Sequence, residues 1–474
     1  MCTLGAFAQE RSYEDLKKVA LNFSKTQSKI KHKIKITQIK SRTTAIDKNK
    51  EYRIINLDPQ GWVIVSKDDI ATPILAYSLT GSIGNERSLA PAFKSWMKGI
   101  NAEIVKAKEA HIDNDTYIDK WDNLTAEAEV FDANQVARGK SSRAKREKGP
   151  LLEKRNINWG QDYPYNAMTP KVSNAMYGYN GRAPVGCAAT AIAQIMAYHK
   201  WPNQGQGSHT DKNHYYGTLK ANFNTHYNWN NMSNYDYAKI SYHVGISIDM
   251  TYGPFGSDAW GFAPIHSLKT YFKYNVGSYL HKNYTLNWDK KIKQNIDSNL
   301  PIYYEGGDND DPKKATFHTF VLDGYSYNNS LKFYHFNLGW GGDETAWYAL
   351  NAISPHNFNY MQSAIFDISP DKETVAKNPT NVTFTNLTST TVTIKWKDKS
   401  DNERGFKIYN GTKVVATVGK NITSYKIVNL NPNTTYRYTI RPYNDKGTSS
   451  GISIRFKTKN IAWLIPAVYY PCLF

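Results

Sequence analysis

The chain has 474 residues, long enough for two to four domains with ample core. Lys plus Arg outnumber Asp plus Glu by 59 to 41, giving a formal charge of +18, and 34 Tyr help raise the aromatic share to 14%. The charge is spread along the sequence without an RNA-binding Lys/Arg-Gly-aromatic motif or zinc-finger spacing, so nucleic acid is not an expected partner. Cysteines at positions 2, 187 and 472 exclude a disulfide framework inside the body of the chain and leave Cys187 as the one interior thiol.

Residues 1–8 resemble the end of a secretory signal, with Ala6-Phe7-Ala8 as a small-x-small cleavage pattern before Gln9. The basic and most of the apolar part of such a signal are missing, so the start reads as truncated or misassigned, and secretion is the expectation. Residues 9–110 read as a small α+β domain. Leu16, Val19, Ala20 and Phe23 predict a helix over 12–23, and strands 52–57 and 61–66 flank the turn Asp58-Pro59-Gln60. Residues 74–78 form a third strand, and Pro91 opens a helix with Phe93, Trp96, Met97, Ile100 and Ile104 on one side.

Residues 111–150 read as an exposed linker whose basic stretch at 139–149 suits processing. The block 151–370 follows, and its organising stretch is 185–202. Pro184 and Gly186 break the chain, then Cys187 opens a run in which only Thr190 and Gln194 interrupt small or apolar residues, so the helix is expected at the centre of a domain. His199 and Trp201-Pro202 end it. At a helix N-terminus, unpaired N–H groups and the dipole favour a thiolate, although a buried structural cysteine has the same surroundings. Residues 205–236 read as loops with short strands, 240–250 as a helix through Ile240, Val244 and Ile248, 252–261 as a Gly/Pro-rich loop and 288–299 as a helix. An antiparallel sheet of alternating strands completes the block.

A thiol nucleophile needs a base, and the base needs a partner to hold its tautomer. His318 shares a strand face with Phe320 and Leu322, and Asn337 shares one with Phe333 and His335. A hairpin turning at 327–329 makes opposed residue numbers sum to about 655–657, which predicts His318 and Asn337 as neighbours across the ladder. Asp323 falls on the other face and is set aside. Gln161, 26 residues before Cys187, could donate with the Cys187 N–H to an oxyanion. The other histidines show no metal-binding pair, and no cofactor or metal is expected. The 252–261 loop, through Gly256 and Ser257, is a candidate wall of a substrate subsite.

Residues 379–458 alternate in short Thr/Val/Ile-rich strands. Trp396 and the Leu430-x-Pro432…Tyr436 spacing resemble a fibronectin type III domain, in which the Trp packs between two sheets and the Tyr makes a corner hydrogen bond. Residues 459–474 form an apolar tail too short to span a bilayer comfortably.

The blocks NINWGQDYPYN, GCAATAIAQIMAYH, VGISIDMTYGP, PIYYEGG, HTFVLDGY and FNLGWGG occur in the order in which they resemble the streptopain family of cysteine peptidases, and GWVIVSKDDIATPILAYS resembles that family's inhibitory prodomain. The resemblance implies a papain-like α+β peptidase made as a zymogen, with Cys187 as nucleophile, His318 as base, Asn337 as orienting amide, Gln161 as oxyanion donor and Trp340 beside the active site. Leu338 stands where the family often has Trp, which bears on efficiency and subsite shape rather than on the chemistry. Expected partners are protein or peptide substrates, the chain's own prodomain as inhibitor, and a surface or polymer ligand for the fibronectin module. An adhesion protein with an inactive peptidase domain, or acyl transfer to an amine, are the alternatives.

Overall fold

A computed structural model describes residues 9–31, 38–39, 50–85, 89–111, 115–126, 146–175, 179–213, 215–282, 287–307, 311, 313–328, 331–350, 361–372, 374–444 and 446–461. The signal-like residues 1–8 and most of the apolar tail fall outside this set. Two compact units emerge, Met1–Pro370 and Asp371–Phe474.

In the first unit, helix α1 (Tyr13–Lys31) buries Leu16, Val19, Ala20 and Phe23 as their spacing requires, and runs about two turns beyond the predicted end. Strands β1 (Tyr52–Asp58), β2 (Trp62–Ser66) and β3 (Ile74–Ser78) form a meander with the expected first turn. Helix α2 (Pro91–Glu109) begins at the proline, which fits a first-turn position that needs no N–H donor.

The linker reading needs correction at two places. Asp115–Thr125 is a helix, α3, whose Tyr117, Trp121 and Leu124 are buried, a stripe overlooked among acidic neighbours. The Trp121 indole donates to the Ala71 carbonyl at 2.9 Å, and Asn22 of α1 donates to Leu124 O and Ala126 O. Farther on, Arg146–Lys148 is strand β4, so part of the basic stretch is hydrogen-bonded. Residues 139–145 of that stretch lie outside the described residues.

The 151–370 block supplies β5 (Tyr279–His281), β6 (Ile302–Gly307), β7 (Phe317–Asn328), β8 (Leu331–Asn337), β9 (Ala346–Tyr348) and β10 (Ser363–Ile365). The strands run β1-β2-β3-β9-β8-β7-β6-β10-β5 in one antiparallel sheet, with β4 paired to β7. The N-terminal meander joins it where Tyr77 and Ala76 of β3 pair with Trp347 and Tyr348 of β9. One core therefore runs across both parts, and the α2 residues Phe93 and Trp96 pack against Tyr348.

Helix α4 (Cys187–His199) lies on the opposite side of the sheet, with residues 188–198 all buried, as a stretch with apolar residues on every face demands. Lys200, left-handed at φ 50°, stops it. Two elements differ from expectation. Helix α5 (Asn234–Ser247) starts earlier than 240 because Ser233 and Asp236 form a reciprocal capping box ahead of the apolar stripe, and α6 (Ala263–Thr270) follows the 252–261 loop. Helix α7 (Trp288–Asp297) occupies most of the predicted span, and the 205–236 run contains a hairpin of Ser208–Asn213 and Gly217–Asn222.

The second unit is a β-sandwich with sheets of three and five strands. Trp396 is buried against Phe406 in its core, and the Tyr436 hydroxyl accepts the Asn431 N–H at 2.9 Å, the corner bond its spacing predicts.

Candidate active site

Cys187 is the first residue of α4, and the turn before it depends on glycine. Gly186 has φ 91°, and a Cβ there would lie 2.8 Å from Met250 Sδ and 3.0 Å from the Ser257 carbonyl oxygen. The two polar residues inside the helix tie down neighbouring loops. The Thr190 hydroxyl donates to Gly186 O at 3.0 Å, while Gln194 Oε1 accepts the Trp159 N–H at 3.0 Å and so fixes the segment carrying Gln161. Gly339 packs against Thr190, where a Cβ would come within 3.0 Å of its methyl, and Gly341 N donates to Trp159 O, which joins the loop bearing Trp340 to the same segment.

Cys187, His318, Gln161, Trp340 and Ser257 line one cavity of about 780 Å³, together with Phe255, Asp258 and, from the N-terminal domain, Lys50, Lys94 and Met97. Gln161 is buried, and its carbonyl accepts the Val185 N–H. Ser257 lines the cavity, but its hydroxyl donates to Pro184 O at 2.7 Å, so this side chain anchors the 252–261 loop to the turn before Cys187.

Asn337 departs from its predicted place. The structure pairs it with Val321, not His318, which lies three residues farther along β7, about 10 Å at strand rise. Two features cause this: the hairpin turns later than 327–329, with Asn328 paired to Leu331, and a bulge between Leu322 and Gly324, with Asp323 as the extra residue, then shifts the ladder by one and puts Asn337 on the face opposite to that of His318. Its amide donates to Ile157 O at 2.9 Å and Asn158 Oδ1 at 3.3 Å, and its oxygen accepts the Gly339 N–H at 3.1 Å.

The pleat consequently separates the expected catalytic pair. Thr319, Val321 and Asn337 belong to the face packed by α4, and Cys187 hydrogen-bonds with Thr319. His318 belongs with Phe320 to the face under α2, where Ser95, Trp96, Gly99 and Glu103 enclose a second, smaller cavity that His318 also lines. Asp323, correctly set aside as a partner for His318, is instead bonded to His335 Nδ1 at 2.6 Å and accepts the Leu152 N–H at 2.7 Å.

Burial pushes the Cys187 thiol above its ordinary range. Its hydrogen bonds with Thr319 act the other way, and the carboxylates of Asp258 and Glu305 add to the rise. Glu305 is itself raised by burial and accepts from Tyr279 at 2.8 Å and Thr319 at 3.3 Å. Sequence reasoning missed Thr319, Glu305 and Asp258. Only the alternation in PIYYEGG, which aims Tyr303 and Glu305 to one side, carried a signal.

Two more carboxylates sit where α2 meets the sheet. Glu344 accepts the Ala90 N–H at the start of α2 at 3.0 Å, and burial raises it to about 6. Glu103 is pushed up to about 8 by burial, against the pull of Lys282 and Lys106, and burial lowers Lys282 to about 8. Leu338 is a buried core residue. No group of metal-ligating side chains and no helix apolar enough to cross a membrane occurs among the described residues.

The Peptidase C10 family model matches residues 159–348, a Spi protease inhibitor model residues 11–104, and a fibronectin type III model residues 377–458. Streptopain of Streptococcus pyogenes is 31% identical over 354 residues, covering 67% of this chain and 80% of streptopain. A thiol protease/hemagglutinin of Porphyromonas gingivalis is 26% identical over 328 residues, 63% of this chain and 33% of its own length. The fold of a prointerpain A fragment from Prevotella intermedia superposes with a TM-score of 0.52 at 23% identity, covering 70% of this chain and 99% of that one. The chain therefore belongs to the peptidase C10, or streptopain, family: a cysteine peptidase with an inhibitor-type prodomain and a fibronectin type III module.

Proposed function

We propose that the chain is a secreted endopeptidase made as a zymogen, with Cys187 as nucleophile, His318 as general base and acid, Asn337 as the amide that orients the imidazole, and Gln161 as oxyanion donor. The observation that carries this reading is the cavity at the N-terminus of α4, which Cys187, His318, Gln161 and Trp340 all line. The Cys187 thiolate attacks the scissile carbonyl carbon, and the carbonyl electron pair moves onto oxygen, held by the Gln161 amide and the Cys187 N–H. Collapse breaks the C–N bond, His318 protonates the departing amine, and a thioester remains. Water, deprotonated by His318, then releases the acid and restores the thiol. Trp340 and the loop around Ser257 wall the substrate site, the backbone of that loop rather than the committed Ser257 hydroxyl facing the peptide.

Latency follows from which face His318 occupies. While α2 covers the sheet, His318 is held among prodomain residues and Cys187 keeps a raised pKa. Removal of α2 frees the imidazole to turn round the open end of β7 toward Cys187 and Asn337. Maturation is expected to cut on the N-terminal side of Arg146, because β4 is laddered to β7 and the Leu151 and Leu152 N–H groups are bonded to Asp323.

An electrophoresis time course of purified protein beside Cys187→Ala tests the assignment. Shortening confined to the unsubstituted protein, with the new N-terminus before Arg146, is expected. Equal persistence of both under reducing conditions, with no hydrolysis of added peptides, would instead favour a binding protein with an inert peptidase domain.

A further inference from the structure

The fibronectin type III module carries a cationic sheet face that peptide hydrolysis does not use. Strand Thr435–Asn444 runs between Gly405–Asn410 and Ile452–Lys457 in the five-stranded sheet. Tyr438, Ile440 and Phe456 fill the core, so the alternate residues Arg437, Thr439, Arg441 and Tyr443 point outward, with Lys407 and Tyr409 on one neighbour and Ser453, Arg455 and Lys457 on the other. The register sets Lys407 opposite Arg441, Arg437 opposite Arg455, and Thr435 opposite Lys457.

Like charges directly opposed across a ladder destabilise a sheet, and this face holds two such pairs. None of the three strands contains Asp or Glu. The carboxylates described elsewhere in the unit are at 371, 398, 401 and 403; Asp371 pairs with Lys446, and Glu403 is buried. Arg441 lies over the Tyr409 ring at 4.6 Å and Lys407 over Tyr443 at 4.9 Å, while the buried Arg441 Nε has no hydrogen-bond partner among the described residues. The two cation pairs stand about 13 Å apart along the central strand. Between them lie the hydroxyls of Thr439 and Ser453, bonded to each other at 2.9 Å.

We propose that this face binds an acidic polysaccharide, its sulfate or carboxylate groups bridging the Lys407/Arg441 and Arg437/Arg455 pairs and its hydroxyls meeting Thr439 and Ser453. Each opposed cation pair offers one anion two donors and loses its mutual repulsion on binding. Single-stranded nucleic acid fits less well, because both tyrosine rings are already covered by a cation and leave no open face for base stacking. The sheet has no helix or ribbon to enter a duplex groove, and the exposed apolar side chains of its edge strand, Val414 and Val415, are not the aromatic or Arg anchors in pockets that dominate folded protein partners. The proposal goes beyond the peptidase assignment and is independent of it.

The test uses the full chain carrying Cys187→Ala, so that self-cleavage cannot intervene, and measures affinity over a salt series. The probes are heparin for sulfate and polygalacturonate for carboxylate, beside a short DNA duplex and polyglutamate. At least one polysaccharide should bind more tightly than the duplex and polyglutamate, and the pattern between the two reveals the preferred anion. Arg437→Gln with Arg455→Gln should weaken that binding about tenfold or more and lower the slope of log K against log salt by about two. Lys395→Gln with Lys397→Gln, on the other sheet, should change affinity less than about twofold. Melting of the Arg437/Arg455 variant at or above the parent temperature checks that it is folded, since repulsion has been removed. Absence of polysaccharide binding at physiological salt, equal losses from both double variants, or tighter binding of the duplex or polyglutamate would each overturn the proposal.

Discussion

At Cys187 influences of opposite sign act on the thiol, and under the proposed mechanism the position of His318 decides which dominates. In the proform, burial raises the pKa, helped by Asp258 and Glu305 and only partly countered by Thr319. The helix terminus alone does not overcome this. Once a cationic imidazole is beside the sulfur, the family of catalytic thiols reaches roughly 3.5–7.5, against about 8.5 for an unperturbed one. Iodoacetamide should therefore alkylate the matured enzyme rapidly near pH 6 and the uncleaved proform only at markedly higher pH, measured by mass spectrometry of the modified peptide in a Cys2→Ser, Cys472→Ser background. His318→Ala should move the matured profile back up, and Asn337→Ala should do so less, because it adds no charge. A matured profile that rises only near pH 8–9 and ignores His318 would make Cys187 a structural cysteine.

Glu103 gives the residue scale a second expectation. Its pKa is about 8 in the docked prodomain against an ordinary value of 4.5, so the docked state binds the extra proton. Its stabilising contribution is complete below about pH 4.5 and is lost as pH rises through 8. Glu344, raised to about 6, acts in the same direction over a narrower window. Lys282, lowered to about 8, reverses the trend only above pH 8, where the undocked lysine still holds its proton. The melting temperature of the Cys187→Ala proform should fall between pH 5 and 8, and Glu103→Gln, a neutral mimic of the protonated acid, should flatten that fall. A profile that keeps its slope in Glu103→Gln would place the titrating group elsewhere.

Among elements, α3 shows how a real helix can hide in a polar sequence. Tyr117, Trp121 and Leu124 stand at helical spacing, but the acidic residues around them lower the average apolarity of the stretch, which is why it reads as linker. In the fold it packs on α1, and the buried Trp121 indole donates to the Ala71 carbonyl. Trp121→Ala should cost about 3–5 kcal/mol, the usual range for removing a fully buried large aromatic, seen as a lower melting temperature of the Cys187→Ala proform. If the prodomain is then held less firmly, maturation of the active chain should start sooner. Strands β1 to β3 and helix α2 were legible from short apolar or periodic runs bounded by turn and proline signals, and α4 from an all-round apolar run after a chain break. The pairing of β7 with β8 was not, since the hairpin turns later than 327–329 and one bulged residue at Asp323 leaves both strand patterns intact while exchanging the face that Asn337 shares. Residue identity could thus nominate Cys187, His318, Asn337 and Gln161. It could not reveal that His318 lies on the face under α2 while Cys187 meets the face opposite, because that depends on the turn, the bulge and a packing partner far along the chain.

At the scale of the whole molecule, the sheet and the sandwich predict different consequences for cutting the chain. The prodomain strands continue the peptidase sheet through Tyr77–Trp347 and Ala76–Tyr348, so removing them exposes the edge of β9 and uncovers the core around Phe93 and Tyr348. The fibronectin module has its own two sheets and its own core from Val392 to Phe456, and all the residues proposed for catalysis precede Pro370. A chain ended after Pro370 should hydrolyse short peptides at nearly the full-length rate, with kcat and KM each within about twofold, the scale of the ±0.5 kcal/mol expected from changes remote from a site. Turnover of a substrate immobilised on an acidic polysaccharide should drop much further, because the truncated enzyme no longer concentrates itself there. Loss of short-peptide hydrolysis in a truncated protein still folded by circular dichroism would show that the sandwich completes the active site, and the division into an autonomous peptidase and an attached binding module would have to be abandoned.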